Sequence, residues 1–274
     1  MGIDVAEASR VWNIKGEDMN KQVAVGPEFV VVQGVRLEMR EWAGQGTPIL
    51  MLHEGLGSVA MWRDFPGRLA TATGRRVIAW SRRGYGLSEP LPLPRDPDYM
   101  HREAGAVPEL MDCLELDQAV LFGHSDGASI ALIAAARYPA RVAGLILEAP
   151  HVIVEQVTVD SIAEARTTYR TTDLGRRLGR YHADADHAFW RWNDIWLDPR
   201  FRDWNIEDLL PAVEAPAMLI QGLDDEYGTL DQLDRIEAVL PHTSRLVLAD
   251  CAHSPHRDQP QAVLSAAASF LEHL

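Results

Sequence analysis

The chain has 274 residues, 47% of them hydrophobic and 24% charged, a balance that suits one large globular domain and excludes a disordered or fibrous chain. With 40 acidic against 26 basic residues the formal net charge is −14, a surface that repels phosphate backbones, so nucleic acid is not an expected partner. The two cysteines, Cys113 and Cys251, lie far apart without C-x-x-C spacing, which excludes a disulfide framework and a zinc knuckle.

Residues 1–27 show no clear periodicity and read as an N-terminal extension, with no apolar stretch of signal-peptide length. No later run reaches the roughly 20 apolar residues that span a bilayer, so no membrane is expected and the location read is cytoplasmic. From Phe29 to Arg40, two alternating runs flank the Gln33-Gly34 turn and predict a β-hairpin. Short apolar runs then recur at Ile49–Leu52, Arg76–Trp80, Ala119–Phe122, Val142–Leu147, Ala217–Ile220 and Arg245–Leu248. Between them, residues 64–73, 99–114, 128–137, 230–240 and 259–273 carry apolar side chains at helical spacing. Wholly apolar strands alternating with helices predict a doubly wound α/β fold around a mostly parallel sheet.

One region breaks that rhythm. Residues 152–211 hold helical stretches, no convincing strand, and Trp190, Trp192, Trp196 and Trp204, half of the eight tryptophans. They read as a helical cap inserted into a core of residues 28–151 and 212–274, over the strand ends where α/β sheets form ligand crevices.

The strongest chemical signal is Gly123-His124-Ser125-Asp126-Gly127, between an apolar strand and a helical run. A G-x-S-x-G string in a strand-turn-helix setting predicts a nucleophile elbow, with Ser125 at the start of a helix whose dipole favours developing negative charge. Serine needs a base and a carboxylate, expected in the order serine, acid, histidine. His253 follows the last apolar strand and is the expected base, with His256 its rival three residues on. The acid belongs after the preceding strand, where Asp224, Asp225 and Glu226 are adjacent; Asp225 is favoured, with Asp224 the alternative. An oxyanion needs amide donors, one from Asp126 and one from the loop His53-Glu54-Gly55-Leu56-Gly57, with Gly55 or Leu56 as donor.

These motifs resemble the α/β-hydrolase family over nearly everything after Phe29. His53 to Gly57 is similar to its H-G-x-x-G oxyanion loop, Arg83 to Ser88 to its R-G-x-G-x-S stretch, and Gly222-Leu223-Asp224-Asp225 to its G-x-x-D turn, on whose aspartate Asp225 falls. The resemblance implies an eight-stranded, mostly parallel sheet flanked by helices, a helical cap, and a Ser-His-Asp triad. Two positions depart from the pattern: Glu54 stands in place of a glycine, and Ser81 where many members carry an aspartate.

The expected activity is hydrolysis of a small-molecule carboxylic ester or related acyl compound through an acyl-enzyme on Ser125, by a monomer or homodimer, with no metal or organic cofactor. The alternatives are C–C cleavage of ring-fission products, with Arg82, Arg166, Arg170 or Arg191 as carboxylate partners, a proline iminopeptidase-like hydrolase with Glu54 or Glu148 holding an amine, and a non-catalytic small-ligand receptor. The expected substrate contacts are His53, Glu54, Trp62, His124, His151, Trp190, Trp196 and Tyr227.

Overall fold

The computed structural model describes residues 28–91 and 94–274. The N-terminal extension read at residues 1–27, and Pro92 and Leu93 of the proline-rich loop, lie outside them.

Strands β1 (Glu28–Val32), β2 (Val35–Trp42), β3 (Ile49–Leu52), β4 (Val77–Trp80), β5 (Ala119–His124), β6 (Val142–Glu148), β7 (Ala217–Gly222) and β8 (Thr243–Leu248) form one sheet. Its order is β1-β2-β4-β3-β5-β6-β7-β8. The β1–β2 and β2–β4 pairs are antiparallel and every later pair is parallel. Strands β3, β4, β5 and β7 are buried along their whole length because helices cover both faces.

Side chains alternate faces along a strand, so each apolar run feeds two cores. Leu50, Leu52, Ile78, Leu121, Leu145 and Leu219 point to one side, where α2 (Tyr99–Cys113) and α3 (Asp126–Arg137) pack. Ile49, Met51, Val77, Phe122, Ile146 and Ile220 point to the other, under α1 (Phe65–Thr73) and α9 (Pro260–Leu271). Between β6 and β7 the chain runs through α4 (Gln156–Thr171), α5 (Leu174–Leu178) and α6 (Ala185–Trp196), then two short 3-10 turns. The remaining helices are α7 (Asp231–Glu237) and α8 (Pro255–Asp258).

The parallel register brings Leu52 beside Gly123, His124 beside Glu148, and Glu148 beside Ile220. The loops after β3, β4, β5, β6, β7 and β8 therefore leave the sheet at one edge, and the chemical motifs singled out in the sequence sit there. No helix among the described residues is long and apolar enough to cross a membrane.

Candidate active site

Ser125 occupies the turn between β5 and α3 with φ 54° and ψ −120°, left-handed backbone that a residue with a Cβ rarely adopts. Three bonds hold it there: its N–H donates to the Glu148 carbonyl at 2.9 Å, and its own carbonyl accepts from Ala128 and Ser129. Glycine is required on either side by close approach. A Cβ at Gly127 would stand 2.1 Å from the Leu52 carbonyl oxygen, and one at Gly123 would stand 2.5 Å from the backbone of Gly127 and Ala128.

The Ser125 Oγ lies 2.9 Å from His253 Nε2, and His253 Nδ1 lies 2.8 Å from Asp225 Oδ1. The loop after β7 holds Asp225 rigidly: Oδ1 accepts from the Tyr227 amide at 2.8 Å and Oδ2 from the Gln221 side chain at 2.6 Å. Burial opposes the charged form of His253, but the Asp225 charge and hydrogen bond outweigh it, so the imidazole titrates above its ordinary value. Burial likewise pushes Asp225 up, and His253 with the Tyr227 amide pulls it further down, leaving the carboxyl below its usual range.

These groups form the floor of a cavity of about 70 Å³, lined by Glu54, Gly55, Leu56, Ser125, Asp126, His151, Thr158, Ile162, Trp192, Trp196, Tyr227 and His253. The Gly55, Leu56 and Asp126 amides take no backbone acceptor among the described residues. The loop carrying the first two is braced from behind by Arg82, whose guanidinium donates to the His53 and Glu54 carbonyls at 2.8 Å each and pairs with Glu103 at 2.8 Å. His53 completes the brace: its Nδ1–H donates to the Glu54 carbonyl and its Nε2 accepts from the Arg82 amide. From the helical insertion, His182 accepts from the Gly86 amide and donates to the Leu56 carbonyl.

Of the residues expected to touch substrate, Glu54, His151, Trp196 and Tyr227 line the cavity. Four do not. His53 is spent on the brace just described. Trp62 lies behind the site, packed against Phe65, Phe122, His124 and His256. His124 is 1% exposed and bonds to the His253 carbonyl. Trp190 faces away, against Tyr169 and the guanidiniums of Arg166 and Arg170. Helical geometry explains the last correction: Trp192 and Trp196 are four residues apart and share one face of α6, whereas Trp190 lies far around it. That spacing was the available signal for Trp192. Thr158 and Ile162, on α4, carry the same four-residue signature but no chemical motif.

The departure at Ser81 is compensated from β2. Ser81 Oγ donates to the buried Glu38 carboxylate at 2.7 Å, which also accepts from the Leu87 amide at 2.9 Å, so an acid still braces this loop. The expected carboxylate partners are occupied elsewhere: Arg166 bonds to Asn193 and Asp194, and Arg191 donates to the Leu91 carbonyl. No arginine or lysine lines the cavity among the described residues.

One buried group has the composition of a metal site, His124, Glu148 and His256. Its spacing is that of hydrogen bonding instead. His256 Nδ1 and Glu148 Oε2 are 2.7 Å apart, whereas two donors on one tetrahedral zinc sit roughly 3.3 Å apart given bond lengths near 2.0–2.1 Å.

Residues 47–184 match the alpha/beta hydrolase fold family. The chain belongs to that family. This α/β hydrolase is 29% identical over 211 residues to the serine hydrolase BPHL of Mus musculus, covering 74% of the chain and 71% of the relative. Over 123 residues it is 37% identical to 2-hydroxymuconate semialdehyde hydrolase of Pseudomonas sp. (strain CF600), covering 43% and 41% of the two chains. A thermophilic esterase from Thermogutta terrifontis shares the fold with a TM-score of 0.70 at 20% identity, over 91% of this chain and 99% of that one.

Proposed function

We propose that this α/β hydrolase cleaves carboxylic esters or related activated acyl compounds through an acyl-enzyme on Ser125. The observation that carries the reading is the unbroken chain from Ser125 Oγ to His253 to Asp225, at 2.9 and 2.8 Å, on the floor of a cavity. His253 Nε2 takes the serine proton as Oγ bonds to the substrate carbonyl carbon, while Asp225 holds the proton on Nδ1 and stabilises the imidazolium. The Asp126 amide and that of Gly55 or Leu56 receive the oxyanion. Collapse of the tetrahedral intermediate expels the alcohol, which takes its proton from His253. A water deprotonated by the same imidazole then releases the acid.

The helical insertion acts as the cap. Trp192 and Trp196 from α6 and Thr158 and Ile162 from α4 roof the cavity, and Trp196 Nε1 is bound to Asp126 Oδ1 at 3.1 Å. The lining bears on which acyl groups enter. Its chargeable groups include the carboxylate of Glu54, and no arginine or lysine opposes it among the described residues. A carboxylate-bearing substrate such as the one for which the Pseudomonas relative is named would meet like charge and no partner. Neutral acyl groups fit better.

A panel of p-nitrophenyl acetate and butyrate, a vinylogous diketone carboxylate and an aminoacyl anilide separates the readings. The esters are expected to be turned over at least about tenfold faster in kcat/KM than either other class. Preference for the diketone would assign C–C cleavage, and preference for the anilide would assign aminopeptidase-like chemistry.

A further inference from the structure

Directly behind the Ser125 site lies a buried cluster that the proposed chemistry does not use: His124 at the end of β5, Glu148 at the end of β6, and His256 on α8. They are 1%, 0% and 5% exposed. His124 and Glu148 are register partners across β5 and β6. The His256 ring packs against His124 at 5.0 Å between centroids, and Trp62 covers His256 at 4.7 Å.

We propose that His124 is a positioning residue for His253, its Nε2–H clamping the backbone carbonyl of that residue and so fixing the loop that presents the imidazole to Ser125. The inference rests on the assignment of His253 as the base. The two atoms are 2.7 Å apart, and because a carbonyl only accepts, the proton is on His124 Nε2. By contrast the His253 N–H is held at 3.3 Å by Glu226. The His124 bond is therefore the tighter tether on the peptide groups flanking the imidazole, and its burial leaves no bulk water to replace it. Neutral imidazoles suit this role. Burial pushes His124 down to about 4 and His256 down to about 3, while it pushes Glu148 up to about 8. Glu148 Oε2 and His256 Nδ1 share a hydrogen bond across 2.7 Å. This pair fills the space beside His124, and Glu148 also receives the Ser125 amide on its backbone carbonyl, so one cluster sets the positions of both reacting side chains.

The test compares His124→Leu, which removes the donor, with His124→Gln, whose side-chain amide extends to about the position of Nε2. On p-nitrophenyl acetate, His124→Leu is expected to lower kcat by about 10- to 100-fold with KM within about twofold of wild type, the scale set by small misplacements of a catalytic group. His124→Gln is expected to stay within about threefold of wild type. The downfield proton NMR resonance of the His253–Asp225 hydrogen bond should broaden or vanish in His124→Leu and persist in His124→Gln and in Ser125→Ala. That signal requires no turnover. If wild-type protein fails to hydrolyse esters while the resonance still responds to position 124, the ester reading falls and the clamp stands. His124→Leu with kcat and resonance unchanged would overturn the clamp, as would His124→Gln failing as completely as His124→Leu. Should the leucine variant not fold, His124→Asn, whose amide is too short to reach the carbonyl, takes its place with the same expectations.

Discussion

Ser125→Ala is expected to lower kcat/KM on p-nitrophenyl esters by at least about 10⁴-fold, roughly 5.5 kcal/mol of transition-state stabilisation at about 1.4 kcal/mol per tenfold. The loss is that large because the hydroxyl, 2.9 Å from the His253 Nε2, is the group proposed to form the acyl intermediate. KM is expected to change little, since the cavity walls are contributed by other side chains. The fold should survive, because the turn is held by backbone bonds and not by the Ser125 Oγ. Retention of more than about a tenth of the activity would remove the serine from the chemistry.

The second large effect concerns Asp225. Asp225→Asn keeps the shape but removes the charge that holds Nδ1 protonated, and a loss of about 10⁴-fold in kcat is expected by analogy with serine proteases. The pH profile carries an independent sign. The base works only when unprotonated, so wild-type kcat/KM falls as pH drops through the His253 pKa, which lies above the ordinary 6.5. Asp225 supplies the largest upward contribution, opposed mainly by burial. Removing that charge lowers the pKa, so the residual activity of Asp225→Asn should show its acidic limb shifted to lower pH. A shift to higher pH, or an unchanged limb with full activity, would mean that the carboxylate does not act on His253.

The parts legible in the sequence are those written in short contiguous segments. The hairpin, the six later strands and the helices between them follow from apolar runs and their period, and Ser125, Asp225 and His253 each lie on a loop that follows a strand end. The structure brings those three together without rearranging any predicted element. What stayed hidden depends on register and on facing surfaces. His124 looked like a substrate contact because it adjoins the serine, yet it is the buried last residue of β5, and its partners come from β6, from α8 and from the loop that carries His253. Arg82 looked like a cation free to meet a carboxylate, and only the folded loop shows it consumed by two carbonyls and Glu103. Glu38 could not have been connected with Ser81 from sequence, since 43 residues separate them and the contact exists only through β2–β4 pairing.

The most direct test of the central claim is covalent. Incubation with a fluorophosphonate, followed by peptide mass spectrometry, should find one adduct, on Ser125, formed rapidly in wild type and at least about 100-fold more slowly in His253→Ala. A protein left unlabelled would favour a ligand-binding role for the same cavity, and an adduct on any other residue would contradict the account outright.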